Sequence, residues 1–313
     1  YTTLASSHKR VVREPIFALP LMWSALYTHT RMKRFLLNFL NSFVLIFAWP
    51  AGATDLYVDA SHLNDSANGL TWLTAKHTIQ AAVNAAEEHD TIWVADGVYA
   101  PITTTNTAIT IRSLHGAAAT AIDGEGLFRC ATLGTISGDT QTVLIGFTLR
   151  NGNAPYDYYE YQITHIPQYG GGAYCGTLIK CRLVSNSAYQ GGGFCYGVLN
   201  NCVLSDNTAS HDGGGAYLAT LNNCTVAFNQ TGYLGSTYGC SLRNSIVYNN
   251  FVYGYPESLF TSQYSAFEYC CVTPRPSGTG NISADPLFVD ETNRDFRLWF
   301  DSPCRNAGCN TDA

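Results

Sequence analysis

Beyond residue 53 this chain carries only two lysines, Lys76 and Lys180, and no run of basic side chains. That scarcity removes the electrostatic footprint that nucleic acid or an anionic membrane surface requires. Residues 1–53 hold six of the 17 basic residues and one of the 23 acidic ones, so the remainder stands at 11 minus 22, or −11. Polyanionic sugars would be repelled by such a chain unless a cation bridged the two. No spacing of Cys and His resembles a structural zinc site. Helical periodicity is also missing from residues 170–250, which excludes a helix-based repeat.

What fills that stretch is a repeat. Gly170-Gly-Gly-Ala-Tyr-Cys-Gly-Thr-Leu-Ile-Lys-Cys181 returns as Gly191 to Cys202 and as Gly213 to Cys224, with a degenerate copy ending at Ser245. A period of 21 to 22 residues, rich in Gly, short apolar runs and Asn, is the mark of a solenoid whose unit is one turn of stacked short strands. Aligned on Cys181, Cys202, Cys224 and Ser245, the copies place Leu178, Leu199, Leu221 and Leu242 in one column and Leu183, Leu204, Val226 and Val247 in another. Alternation along a strand points the Cys column and the Leu/Val column after it into one interior, and turns Arg182, Val203, Thr225 and Ile246 outward. Asn186, Asn207, Asn229 and Asn250 form an asparagine ladder at a turn, with Asn151 closing an earlier coil; such amides can bond to backbone and to one another along the stack. Asn200-Asn201, Asn222-Asn223 and Asn244 mark a second polar corner.

These Gly-Gly-Gly-x-Tyr and Leu-x-x-Cys coils resemble those of secreted bacterial right-handed parallel β-helix proteins of the pectate-lyase-like (pectin lyase fold) superfamily. The resemblance covers nearly all of the chain after residue 53 and implies an all-β, right-handed parallel β-helix. Residues 75–89, with Ile79, Ala82, Val83 and Ala86 on one helical face, are similar to the N-terminal capping helix of that family. Residues 281–290 and 296–308 are similar to its closing coils. The expected organisation is upstream sequence over 1–31, a signal peptide over 32–53 with a basic start, an apolar middle and an Ala-x-Ala exit, and one β-helix domain over 54–313. Within that domain the cap is 54–100 and the coils are 101–300, with the C-terminus truncated. The corresponding location is secreted, extracellular or on a bacterial cell surface, with no transmembrane helix in the mature chain and a monomeric state.

Eleven cysteines in an exported chain suggest disulfides. Cys181, Cys202 and Cys224, however, sit one coil apart with parallel side chains, at the ~4.8 Å of neighbouring strands, whereas a disulfide needs Cβ atoms ~3.8 Å apart and turned toward each other. They are expected to stack as apolar residues. Cys304 with Cys309, and one of Cys270 or Cys271, are better disulfide candidates, with the pairing open.

A regular stack is a scaffold, so function is expected where the repeat breaks. Two insertions leave at the turn after the Asn ladder: one after Asn151, with Tyr156, Asp157, Tyr158, Tyr159, Glu160 and Tyr161, and one after Asn250, with Tyr253 and Tyr255. They are four coils apart, roughly 19 Å at strand spacing. Between them the turn is short and carries Tyr189, then His211 with Asp212, then Tyr233. A groove walled by Tyr would suit sugar rings, whose C–H faces stack on aromatic rings while their hydroxyls bond to acids and amides. The plainer alternative is that the Tyr loops cover outer strand faces where Val203 and Ile246 are apolar.

The leading expectation is a secreted or cell-surface β-helix that binds polysaccharide or a cell-surface glycan, or acts as an adhesin-like module, with no cofactor, Ca2+ being the one alternative and lacking a clear site. The alternatives are a polysaccharide lyase or glycoside hydrolase, with Asp212, Asp157, Glu160 and His211 as catalytic candidates, and a structural envelope spacer. Hydrolysis needs two carboxylates flanking the bond, for which Asp212 with Asp157 or Glu160 is the candidate pair. The paired Asp, Gly-His-Gly and Arg-x-Lys pattern of related polygalacturonases is absent, and no acidic cluster marks a Ca2+ site of the pectate-lyase kind.

Overall fold

In the computed structural model, residues 52–135, 137–154, 168–252, 255–256 and 264–310 are described. The expected upstream sequence, and all of the expected signal peptide except Gly52 and Ala53, lie outside them. The regular structure of the described chain is almost entirely short strands, two to seven residues long, in three sheets of thirteen, six and eight strands that are parallel except for the last pair of the six-stranded one, with a separate antiparallel pair at the C-terminal end. It is a parallel β-helix.

Packing follows columns rather than elements. In the first sheet, Leu56, Ile92, Ile111, Leu144, Leu178, Leu199, Leu221, Leu242 and Phe267 are successive register partners, all buried. The second sheet stacks Tyr99, Ile122, Leu149, Leu183, Leu204, Val226, Val247 and Val272 in the same way. Each rung therefore buries branched or aromatic side chains against the rungs above and below, worth about 1.5–3 kcal/mol per residue. The third sheet stacks smaller residues, Ala154, Ala188, Ala209, Thr231 and Val252.

The polar corner between the second and third sheets is the asparagine ladder. Asn186 Nδ2 donates to Asn207 Oδ1 at 2.9 Å, Asn207 Nδ2 to Asn229 Oδ1 at 2.9 Å and Asn229 Nδ2 to Asn250 Oδ1 at 3.0 Å. Each acceptor oxygen also takes the backbone N–H of the previous Asn. With all four side chains buried, the ladder satisfies polar groups that water cannot reach.

Asn151 is not part of it; the backbone N–H of Gly152 meets Asn186 Oδ1 instead, at 2.8 Å. Asn151 belongs to the column one residue earlier, with Ser185, Asp206, Phe228 and Asn249, all at φ between 50° and 60°. The left-handed bend thus precedes the ladder, because the ladder amide must already point inward when the chain turns.

The Cys column stacks as expected. Cys181 N–H donates to Cys202 Sγ at 3.4 Å, Cys224 N–H to Ser245 Oγ at 3.0 Å, and burial pushes the Cys181 and Cys202 thiols well up. Thiol and hydroxyl interchange at this column because each accepts one N–H and donates to a carbonyl.

At the N-terminal end, helix α1 (Ile79–Ala85) buries Ile79 and Ala82 and packs Val83 and Ala86 against the core. It is shorter than the apolar pattern suggests. Thr78 caps it, accepting from Ala81 N–H at 3.2 Å, and Thr78 is itself held by both oxygens of Asp65.

At the other end Ile282 still bridges Cys271 in parallel, in line with the expected closing coil, but the chain then departs from it. Phe288–Asp290 and Asp295–Leu298 pair antiparallel, not in register with a coil. The turn between them is closed by Asp290, which accepts from Asn293 N–H and Nδ2 at 3.1 and 2.7 Å, and by the left-handed Arg294. This local turn chemistry outcompetes addition of another rung. Arg294 then reaches 88 residues back, bidentate to Asp206 at 2.6 to 3.0 Å, with its guanidinium over the Phe228 ring at 3.9 Å. Phe296 packs on Phe228 and Phe288, and Asn249 Nδ2 donates to Glu291 at 3.1 Å. The hairpin and outer position Val203 line one cavity, Leu298 and Ile246 another, and both outer positions are half-buried.

Candidate functional site

The Gly-Gly-Gly segments position everything that follows. Gly191 and Gly213 both sit at φ +67, and a Cβ on Gly192 would stand 2.4 Å from the Thr208 carbonyl and 2.5 Å from that of Gly214. Three glycines in a row let the third sheet turn tightly into the first, and they deliver the next two side chains at fixed height on each coil.

Directly after them, Tyr174, Cys195, Tyr217 and Tyr238 are register partners on the outer face of the first sheet. Tyr217 and Tyr238 stack at 5.4 Å with 5° between their planes, and Tyr264 continues the row at 5.0 Å. Where Cys195 leaves a gap, Tyr196 meets Tyr174 edge-on at 5.7 Å and Tyr169 lies over Tyr217 at 6.1 Å. Arg129 secures the end of this patch, donating to the Tyr169 and Gly170 carbonyls at 2.8 to 3.1 Å with its guanidinium 5.2 Å over the Tyr174 ring. The first residue insertion returns at that point.

A second row runs along the neighbouring corner. Tyr189, His211 and Tyr233 stand on consecutive coils with ring centroids 5.1 Å apart at each step, tilted 37° and 36°. This is close to the rung spacing. Tyr233 is half exposed, and Tyr189 and His211 are partly so. Between the rows lies Asp212, almost wholly buried at 4% exposure. One carboxylate oxygen accepts from Gln190 Nε2 at 3.0 Å and His211 Nδ1 at 2.8 Å, the other from Leu234 N–H at 3.1 Å. Asp212 thus joins three coils through one side chain.

The carboxylate is felt across the patch. Burial first, and the charges of neighbours including Asp212 after it, raise the Tyr217 phenol to about 12 and push the Tyr238 phenol up. The rings are therefore neutral hydrogen-bonding groups at any ordinary pH.

Of the residues expected from sequence, Tyr189, His211, Asp212 and Tyr233 come together at one corner. Tyr156, Asp157, Tyr158, Tyr159, Glu160, Tyr161 and Tyr253 lie outside the described residues, and Tyr255 is described only in its backbone, paired antiparallel to Val252. The larger row, Tyr174, Tyr196, Tyr217, Tyr238 and Tyr264, was not among the expected site residues. Its signal was present as the Tyr that follows Gly-Gly-Gly-Ala in two copies. Among the described residues, no three His, Cys, Asp or Glu side chains are grouped so as to hold a metal ion, and no helix is long and apolar enough to cross a membrane.

No family model matches the chain, and no curated protein matches it. Solved structures do resemble it in chain path. A pectin methylesterase from carrot is 14% identical over 66% of this chain and 69% of its own, at a TM-score of 0.40. Pectin methylesterase PemA from Erwinia chrysanthemi is 16% identical over 75% and 76%, also at 0.40. Pectate lyase Pel9A is 13% identical over 74% and 64%, again at 0.40. At such identity and TM-score no residue role passes from those enzymes to this chain.

Proposed function

We propose that this β-helix binds a polysaccharide along the two aromatic rows, at the face bounded by Tyr189, His211 and Tyr233 on one side and Tyr217, Tyr238 and Tyr264 on the other. The observation that carries the proposal is the repetition of partly exposed rings at 5.0 to 5.4 Å steps over consecutive coils. A rigid row of this kind offers a repeating polymer the same contact at every rung, at little conformational cost. Tilted rings present part of their faces to sugar C–H groups, and stacked ones present edges and hydroxyls. Secretion or display at a cell surface belongs to the same proposal. The balance of 11 basic against 22 acidic residues after residue 53 favours a neutral polymer over a polyanionic one.

Affinity electrophoresis through gels containing neutral or acidic polysaccharides tests this. Retardation by a neutral polymer, relieved in Tyr189→Ala/Tyr233→Ala, is expected; unchanged mobility in every gel contradicts it.

A second reading, acid–base cleavage of the bound polymer, draws support from the His211–Asp212 hydrogen bond of 2.8 Å. A carboxylate on Nδ1 orients an imidazole for proton transfer at Nε2. Asp212 itself, buried and with both oxygens engaged, is suited to orienting rather than to attack. Product release lost in His211→Gln but retained in Tyr233→Phe would favour this reading.

A further inference from the structure

The C-terminal hairpin is held to the coils at its tip by Arg294, Asp206 and Phe228. A second attachment lies at its base, in a cavity of about 180 Å3 whose lining includes Cys271, Cys304, Ile282 and Leu298 together with Cys224 and Cys270, the last two buried with their thiols on the Leu199 and Glu268 carbonyls. Cys271 belongs to the last strand of the second sheet, at the end of the Val272 column, and its backbone N–H donates to the Ser245 carbonyl at 2.9 Å. Cys304 arrives in the loop after the hairpin, its backbone N–H on Ser302 Oγ at 3.2 Å, while that hydroxyl donates to the Pro286 carbonyl at 2.6 Å. The Cys271 thiol donates to the Ala284 carbonyl at 3.3 Å, and the two thiols are near enough to perturb each other's titration.

We infer that Cys271 and Cys304 are a disulfide-forming pair that clasps the C-terminal segment onto the last coil when the protein meets a disulfide oxidant. Three observations support the pairing. Both thiols line one small cavity and perturb each other's titration, which is the proximity a disulfide requires. Each is fixed by its own backbone anchor, one in a strand and one in a buried Ser turn. The third concerns the competitor: Cys309 is taken elsewhere, its backbone N–H and carbonyl both bonded to the Asn244 side chain at 2.8 and 3.0 Å and its thiol bonded to the Tyr269 hydroxyl. The stacked Cys181, Cys202 and Cys224 are one rung apart with parallel side chains and do not compete.

The chemistry balances with a small disulfide such as oxidised glutathione. Proximity to Cys304 holds the Cys271 thiol below its ordinary range and pushes the Cys304 thiol up, so Cys271 supplies the thiolate. It attacks one sulfur of the oxidant, forms a mixed disulfide and expels one thiolate, which takes up the proton Cys271 gave. Cys304 then attacks the Cys271 sulfur, expelling the second thiolate, which takes the remaining proton. Two protein thiols are oxidised and one oxidant is reduced to two thiols. The ring so closed contains the whole hairpin, including Arg294. Oxidation therefore fixes the hairpin covalently, and reduction leaves it held by noncovalent contacts alone.

The test is peptide mapping of the whole chain under non-reducing conditions, after equilibration in oxidised and reduced glutathione and quenching with an alkylating agent. The expected result is a Cys271–Cys304 linked peptide, lighter than its two parts by two hydrogens, with the other nine cysteines alkylated on denaturation. It should persist in Cys309→Ser and vanish in Cys304→Ser. Trypsin cleavage at Arg294 and Arg297 should be slower in the oxidised protein than in the reduced one, and equal in both for Cys304→Ser. A Cys304–Cys309 link, or full alkylation of both thiols after oxidation, would overturn the inference.

Discussion

Replacing Asn207 by Ala removes one rung of the buried ladder and nothing from the apolar columns. Asn207 Oδ1 accepts from Asn186 N–H at 3.1 Å and from Asn186 Nδ2 at 2.9 Å, and its Nδ2 donates to the Leu183 carbonyl at 2.9 Å and to Asn229 Oδ1 at 2.9 Å. Asn229 Oδ1 keeps its bond from Asn207 N–H, at 3.0 Å. The Asn186 backbone N–H, one N–H of its amide and the Leu183 carbonyl each lose a partner, in a corner where Asn186, Asn207 and Asn229 are 0 to 1% exposed. At about 1–2 kcal/mol for each stranded group the loss is about 3–6 kcal/mol, set against a total stability of roughly 5–15 kcal/mol. Urea unfolding followed by circular dichroism measures it. Thr208→Ala, one residue away and exposed, is the control and should cost within about 0.5 kcal/mol. Because coils stack in one dimension, hydrogen exchange should rise first in the coils on either side of the substitution. A loss below about 1 kcal/mol for Asn207→Ala would refute the claim that the ladder is a network of obligatory partners.

Further outcomes follow from other contacts. Gly192→Ala drives a Cβ to 2.4 Å from the Thr208 carbonyl, so it should cost more than about 3 kcal/mol or prevent folding, read as loss of the cooperative melting transition. Arg294→Ala breaks the fork on Asp206 and the stack on Phe228; trypsin should then cut at Arg297 faster, with a cost of about 1–3 kcal/mol that shrinks in high salt. The pH profile follows from the phenols: Tyr217 titrates at about 12 in the fold, burial being the main cause, and at about 10 when unfolded. The unfolded chain gives up its protons first, so stability is full below pH ~10 and falls as pH rises toward ~12, and Tyr217→Phe should flatten that fall in alkaline denaturation curves.

The fold was legible because a solenoid repeats its physics. Columns at Leu178, Leu183 and Asn186 recur at a fixed period, and each needs only itself one coil away, so local pattern and long-range contact coincide. What escaped the pattern were contacts between segments that do not share the period. Asp206 stands alone in its column, with Ser185, Phe228 and Asn249, and nothing in the repeat indicates that Arg294 will meet it. The hairpin was hidden for the same reason, since Asp290, Asn293 and Arg294 set a turn that a strand pattern does not register. At the candidate site the corner of Tyr189, His211 and Tyr233 was readable from its spacing. The row of Tyr174, Tyr217 and Tyr238 is broken in sequence by Cys195, and only the neighbouring Tyr196 and Tyr169 make it continuous in space. Asp212 reads in sequence as an acid beside a His, whereas its burial and three donors make it a strut between coils.

The central claim, that the aromatic rows form a polysaccharide-binding face, is tested most directly on a glycan array probed with the wild-type protein and with Tyr217→Ala/Tyr233→Ala/Tyr238→Ala, each checked for an unchanged β-sheet circular dichroism spectrum. The account predicts wild-type binding to at least one neutral polysaccharide, weakened at least about tenfold in the variant, as expected from losing contacts of 0.5–1.5 kcal/mol each. A correctly folded wild type that binds no glycan, or a folded variant that binds as the wild type does, would contradict it.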